Sequence, residues 1–172
     1  MIKKIFIIFS IFFITMQTAA AGVFEHPQKL SEIYPQLPEL NNVNCKFKQE
    51  KTLPGTMVPL VSPGDFQFVK EQGIVFKTKY PIESTTSYNA AEFKQINEVI
   101  NAISNKSFSK IENIFDFYFT KTGENWTLGF IPKKSHQSSK YLASVEIEGK
   151  NDISKIIIKM KNSTETTIRF YK

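Results

Sequence analysis

Few residues in this sequence have both the type and the setting for bond-making chemistry. The histidines are His26, just before Pro27, and His136, inside Pro132-Lys-Lys-Ser-His-Gln-Ser-Ser-Lys140. A Ser/His/Asp triad needs an imidazole held rigidly beside its partners, and both histidines read as solvated. Cys45 alternates with Val43 and Phe47, which makes it a small apolar filler of a strand face. A thiol nucleophile wants a nearby base, and the sequence offers none. Glu146 and Glu148 share one strand face, opposite Val145 and Ile147, so solvated charge explains them better than paired acid/base work. There is no G-x-S-x-G elbow, phosphate loop or dinucleotide fingerprint. A single Cys makes no internal disulfide and no Cys-rich metal site. The expectation is therefore no catalytic residue, no metal and no cofactor.

What the sequence has in excess is flat apolar surface. Aromatics are 13% of its 172 residues, and 16 of them are Phe. Strand-like positions carry Phe47, Phe66, Phe68, Ile74, Phe76, Trp126, Leu128 and Phe130. Helix-like positions carry Phe93, Ile96, Ile100, Ile111, Ile114, Phe115 and Tyr118. A plain core accounts for any one of them. The set is large for one core, and a curved sheet under helices leaves room for a cavity that holds acyl chains through the hydrophobic effect. The candidate lining is Phe47, Phe66, Phe68, Ile74, Phe76, Phe93, Ile96, Ile100, Ile114, Phe115, Trp126, Leu128 and Phe130. On this reading Phe47→Glu or Phe68→Glu weakens lipid binding in a protein that stays folded.

The elements that must position these residues follow from periodicity. Leu30, Ile33 and Tyr34 mark a short first helix over 28–36. Alternation from Val43 to Lys51 gives a strand. Leu53 to Leu60, broken by Pro54, Gly55 and Pro59, reads as an edge or bulge. Ser62-Pro-Gly-Asp65 reads as a turn, with a strand from Phe66 and a hairpin through Glu71-Gln-Gly73 into Ile74–Lys79. Pro81 to Tyr88 is extended. Two helices are expected next, one on Phe93, Ile96, Val99, Ile100 and Ile103, the other on Ile111, Ile114, Phe115, Tyr118 and Phe119. Period two returns with Trp126, Leu128 and Phe130. It continues with Ala143, Val145 and Ile147, then Ile156, Ile158 and Met160, and ends on Ile168 and Phe170. The order is helix, about five strands, two helices, about four strands. That predicts an α+β domain: one curved antiparallel sheet with helices on its concave face.

The N-terminus reads as an address. Lys3 and Lys4 precede an apolar run over 5–16, and Ala19-Ala-Ala21 supplies small residues for a peptidase. This pattern predicts a cleaved secretory signal peptide over 1–21. The run is short against the roughly 20 residues that span a bilayer. The single domain is then 22–172. Losing Lys3 and Lys4 lowers the formal net charge from +6 to +4. No basic stripe with interleaved aromatics suggests nucleic acid.

These residues resemble a known family. The string is Phe47-Lys-Gln49-Glu-Lys51, Leu53, Pro59-Leu60, Ser62-Pro-Gly64-Asp-Phe66-Gln-Phe68 and Gly73-Ile74-Val-Phe76-Lys-Thr78-Lys-Tyr-Pro81. Trp126-Thr-Leu128-Gly-Phe-Ile-Pro132, Val145-Glu-Ile147-x-Gly149 and Thr167-Ile168-Arg-Phe170 follow in the same order. Together they are similar to the outer-membrane lipoprotein carrier (LolA-like) family, across nearly the whole of 22–172. The resemblance implies an eleven-strand half-barrel closed by helices over an apolar cavity, located in the periplasm. It implies acyl cargo taken from an inner-membrane transporter and handed to an outer-membrane receptor, with no bond chemistry. Phe76 stands where the family usually has Trp. The chain stops just after its last strand, and the family's buried latch Arg has no counterpart here, since Arg169 lies elsewhere. A divergent member is implied rather than the housekeeping carrier.

The leading expectation is thus a monomeric periplasmic carrier of lipoproteins or other acylated lipids. The alternative is a lipid- or lipoprotein-sensing accessory protein of a glycolipid or aryl-polyene export system, without handoff. An acyl-group hydrolase comes third and requires an essential Ser, Cys45, His26 or His136.

Overall fold

Alternation governs most of the chain, and the backbone follows it into one antiparallel sheet. The computed structural model describes residues 22–39, 42–69, 73–87, 94–105 and 107–172. The expected signal peptide, the turn residues Glu71 and Gln72, Tyr88 and the candidate Phe93 lie outside them. The strands are β1 (Pro27–Gln28), β2 (Val43–Thr52), β3 (Leu60–Val69), β4 (Gly73–Thr78), β5 (Ser84–Ser87), β6 (Phe115–Thr122), β7 (Asn125–Pro132), β8 (Leu142–Gly149), β9 (Ile153–Met160) and β10 (Glu165–Tyr171). Their order across the sheet is β1-β6-β7-β8-β9-β10-β2-β3-β4-β5. Two meanders, β2–β5 and β6–β10, are therefore joined at one seam, where β10 pairs with β2. The sheet is open, with β1 and β5 at its edges. Among the described residues the helices are α1 (Leu30–Ile33) running into a 3₁₀ turn at Tyr34–Gln36, α2 (Lys94–Ser104), and α3 (Ser109–Glu112).

One sheet face gathers the apolar side chains in rows. Phe117, Phe130, Val145 and Ile158 stand opposite one another across β6 to β9. The next row is Phe119, Leu128, Ile147, Ile156 and Ile168. A third sets Phe170 beside Phe47 and Gly64. The opposite face carries cross-strand charge. Glu148 meets Lys155 at 2.7 Å, Glu146 lies 3.9 Å from Lys159, and Arg169 meets Glu50 at 2.7 Å. Glu146 and Glu148 are thus the solvent-side charges their alternation indicated. Each such pair contributes about 0–1 kcal/mol, so the apolar rows, not the ion pairs, hold the sheet together.

α2 buries Ile96, Val99, Ile100 and Ile103, the stripe its spacing predicts. It is fixed at two places. Asn97 Oδ1 accepts a hydrogen bond from the Ile74 amide at the start of β4 (3.3 Å), and Gln95 Nε2 donates to the Tyr141 hydroxyl just before β8 (2.7 Å).

Three expectations change. The second long helix does not form: α3 ends at Glu112, and β6 begins at Phe115. Ile111, Ile114, Phe115, Tyr118 and Phe119 match helical spacing by coincidence. Within β6, Phe115, Phe117 and Phe119 match period two and are buried, and aromatic residues suit a strand. Ser62-Pro-Gly-Asp65 is not a turn but the interior of β3. Gly64 is needed there for space. A Cβ would sit 2.2 Å from the Lys77 carbonyl oxygen and 2.6 Å from the Phe47 ring. The real reversal is at Leu53–Thr56, where Gly55 takes a φ of 75° and the Thr56 amide donates to the Leu53 carbonyl at 3.1 Å. Finally, β8 starts at Leu142 with an irregular register between Leu142 and Ser144, so Leu142 and Ser144 face inward and Ala143 is only half-buried.

Candidate functional site

The candidate lining falls into two aromatic clusters and the helix that packs near them. In the first, the Phe47 and Phe76 rings are 5.1 Å apart, Phe66 and Phe76 5.0 Å, and Phe66 and Phe170 4.6 Å. In the second, Phe115 and Phe130 are 5.1 Å apart and Phe117 and Phe130 5.9 Å. Offset and edge-on rings at these separations gain about 0.5–1.5 kcal/mol each beyond their burial. Trp126 donates its indole N–H to the Lys150 carbonyl at 2.7 Å. Leu128 stands on β7 opposite Phe119 and Ile147, and Ile74, Ile96 and Ile100 belong to the same buried core.

All of Phe47, Phe66, Phe68, Ile74, Phe76, Ile96, Ile100, Phe115, Trp126, Leu128 and Phe130 are 5% exposed or less, and Ile114 is half-buried against them. They form a closed core in this conformation. Phe66, Phe68 and Ile100 border one void, shared with Val43, Cys45 and Phe170, of about 30 Å³. That is room for about one water molecule. With Phe47 and Phe68 at 3% and 4% exposure, a Glu at either position leaves a buried charge unpaired. Those substitutions report on folding before they report on lipid.

Among the described residues, a concavity of ligand size with an apolar wall lies elsewhere on the same inner face. A cleft of about 720 Å³ opens at the end of the sheet where β2, β8 and β9 run out. Small-molecule pockets span about 300–1,000 Å³. Leu53, Leu142, Ile158 and Met160 give it an apolar wall. Lys51, Thr166 and Ile158 are cross-strand neighbours in one row, so the inner face passes from branched carbon to polar groups within three strands. Gln95 and Tyr141, joined by their hydrogen bond, stand on its other side.

The turn that shapes its edge is pinned. The Thr164 amide donates to Asn162 Oδ1 at 3.1 Å, the Met160 amide to the Thr164 carbonyl at 2.9 Å, and the Lys161 amide to the Tyr141 carbonyl at 2.8 Å. None of the twelve candidate residues that are described lines this cleft. The signal that points to it is the loss of aromatics along the inner rows: Ile158 continues to Thr166 and Lys51, not to another Phe.

The histidines and the thiol can now be placed. His26 is exposed. His136 is half-buried rather than fully solvated, because it caps the 3₁₀ turn Gln137–Lys140. Its Nδ1 accepts from the Ser138 amide at 3.3 Å and lies 2.7 Å from the Ser138 hydroxyl. Ser138 is wholly buried, so this Ser–His contact is a cap. Cys45 is half-buried, and burial pushes its thiol pKa up, with Asp152 adding to the rise. Among the described residues no group of His, Cys, Asp and Glu could hold a metal ion.

No protein-family model matches the sequence, and no curated protein matches it. Among solved structures, a LolA superfamily protein from Nitrosomonas europaea is similar over 84% of this chain and 92% of its own, with a TM-score of 0.41 and 7% sequence identity.

Proposed function

We propose that the protein carries acylated lipids, lipoproteins among them, by taking an acyl chain into the cleft bounded by Leu53, Leu142, Ile158 and Met160. The observation that supports this is the cleft itself: about 720 Å³, apolar on one side, with polar groups at its edge. The ordered run of residues resembling the lipoprotein carriers supports the same reading. So does the aromatic face that continues beneath α2, which we read as cover over the hollow side of a half-barrel.

The energetics suit a carrier. Each buried methylene contributes about 0.8 kcal/mol, so ten give about 8 kcal/mol, which corresponds to micromolar holding. That is tight enough to keep a chain out of water and loose enough to release it. Few directed polar contacts are needed for the chain itself, and Lys51, Gln95, Asn162 and Thr166 line the cleft for the polar end of a cargo. Release of the Gln95–Tyr141 hydrogen bond frees one end of α2 and lets a longer chain pass Ile158 toward the phenylalanine rows behind it. In this reading the protein works between two membranes, with an inner-membrane transporter as donor and an outer-membrane receptor as acceptor.

The test uses protein expressed from the whole 172-residue sequence and purified without detergent. Native mass spectrometry is expected to show bound acyl lipid. A fluorescent fatty acyl probe is expected to bind at micromolar concentration, and Leu53→Glu and Met160→Glu to weaken it at least tenfold without changing the melting temperature by more than a few degrees. Wild-type probe affinity in both variants overturns the assignment of the cleft.

A further inference from the structure

The exposed apolar side chains of this protein are gathered, not scattered. Met57 is 99% exposed and Val58 78% on the β2–β3 connection, and Leu60 and Val61 follow at the start of β3. Ile82, 77% exposed, and Tyr80 lie on the β4–β5 connection, and Tyr141 stands just before β8. The antiparallel order puts all three connections at one end of the sheet, together with the β9–β10 turn. Among the described residues, Tyr171 is the large exposed apolar side chain at the other end. Grouped exposure of this kind marks an interaction site.

Charge divides the same way. The connections 53–59, 79–83, 133–141 and 161–164 carry Lys79, Lys133, Lys134, Lys140 and Lys161 against a single acid, Glu83. At the opposite end, Glu124 pairs with Lys150, and Asp152 with Lys172 at 2.5 Å, so that end balances. At the apolar end Lys79 pairs with Asp65 at 2.8 Å and Lys133 lies 3.7 Å from Asp116, which leaves Lys134, Lys140 and Lys161 as the lysines that give this end its positive charge.

The β2–β3 tip is also built to enter an apolar medium. From Leu53 to Val61 it has no charged residue. Its reversal satisfies its own backbone: the Thr56 amide and hydroxyl both donate to the Leu53 carbonyl, at 3.1 and 2.8 Å, and the Leu53 amide donates to the Thr56 hydroxyl at 3.2 Å. Unpaired backbone groups are what hydrocarbon penalises most. Pro54 and Pro59 withhold two more amide hydrogens. The turn thus presents Met57 and Val58 outward, with the Leu53 and Thr56 amides bonded within it.

We infer that this end of the sheet docks on the surface of an anionic lipid bilayer, with Met57 and Val58 sunk into the interface and the lysines seated on acidic headgroups. Interfacial binding grows with buried apolar area and with attraction to anionic lipid, and both are present at one end here. Leu53 and Lys51 belong both to the base of this tip and to the cleft wall. Docking therefore sets the cleft mouth against the membrane, and an acyl chain crosses between them without passing through water. The docking stands on the tip and the lysines; its use in cargo transfer rests on the carrier reading above.

The experiment is flotation of the purified protein with vesicles of phosphatidylethanolamine and phosphatidylglycerol, beside vesicles of phosphatidylcholine alone. The expected result is recovery with the anionic vesicles, lowered by raised salt, and at least tenfold less recovery for Met57→Asp/Val58→Asp. The same double variant, in buffer without vesicles, is expected to keep the wild-type melting temperature and wild-type affinity for the acyl probe. This separates the two readings, since the cleft is untouched. Lys134→Gln/Lys140→Gln/Lys161→Gln is expected to remove most of the salt dependence. Wild-type protein that stays at the bottom of the gradient, or a double variant that floats like wild type, overturns the docking.

Discussion

At Gly64 a single hydrogen atom keeps two strands and a ring in place. The Lys77 carbonyl and the Phe47 ring both approach within what a methyl group would occupy. Gly64→Ala is therefore expected to cost about 1–3 kcal/mol, the usual range for overpacking a filled site, and to lower the melting temperature by several degrees in a thermal scan. Phe130, wholly buried between Phe115 and Phe117, is the complementary case. Phe130→Ala should cost about 3–5 kcal/mol, measured by urea denaturation. Cys45 tests burial from another side. Burial raises its thiol pKa, so thiolate is scarcer at pH 8 than for a free cysteine. Ellman's reagent is expected to react slowly with the native protein and at ordinary speed in denaturant. Alternation with Val43 and Phe47 made this residue's role legible from sequence. Gly64 was not legible, because Ser-Pro-Gly-Asp has turn chemistry and only the approach of Lys77 shows what the glycine is for.

Among the elements, α2 is held by polar contacts as well as by its apolar stripe. Asn97 is 6% exposed and accepts from the Ile74 amide. Asn97→Leu leaves that amide without its partner, a loss of about 1–3 kcal/mol. Hydrogen exchange is expected to speed at Ile74 while amides in the β6–β9 rows keep their protection. Equal protection at Ile74 in both proteins would show that α2 is held by its apolar stripe alone. That stripe was readable at helical spacing; the segment after it was not. Between Ile111 and Phe119 both periods fit some residues, and the choice turned on Phe117, which belongs only to the alternating set. The cleft escaped the sequence reading for a related reason. Its walls join β2, β8, β9 and β10, and no local pattern states that β10 lies beside β2.

At the scale of the molecule, charge and topology each make a prediction. Hydrogen bonds from Lys48 and Arg169 hold the Glu50 carboxyl below its ordinary pKa. Such a group adds stability above the pKa it has in the unfolded chain and loses it as pH falls through its folded value. Wild type is therefore expected to melt slightly above Arg169→Met at neutral pH, and the two curves to converge as pH falls below about 4, where a free glutamate takes up its proton. An unchanged gap at pH 3 would locate the effect of Arg169 in packing.

The strand order bears on time as well as strength. Glu50 and Arg169 face each other across the seam although 119 residues separate them in sequence. Contacts that far apart are slow to form, because a long loop must close before anything rewards it. Until β10 has been made, β2 has a free edge beside an apolar face, and each meander is half a sheet. The nascent chain thus stays unfinished through most of its synthesis. A chain that ended before Glu165 would hold two half-sheets with exposed, aggregation-prone edges rather than a smaller protein.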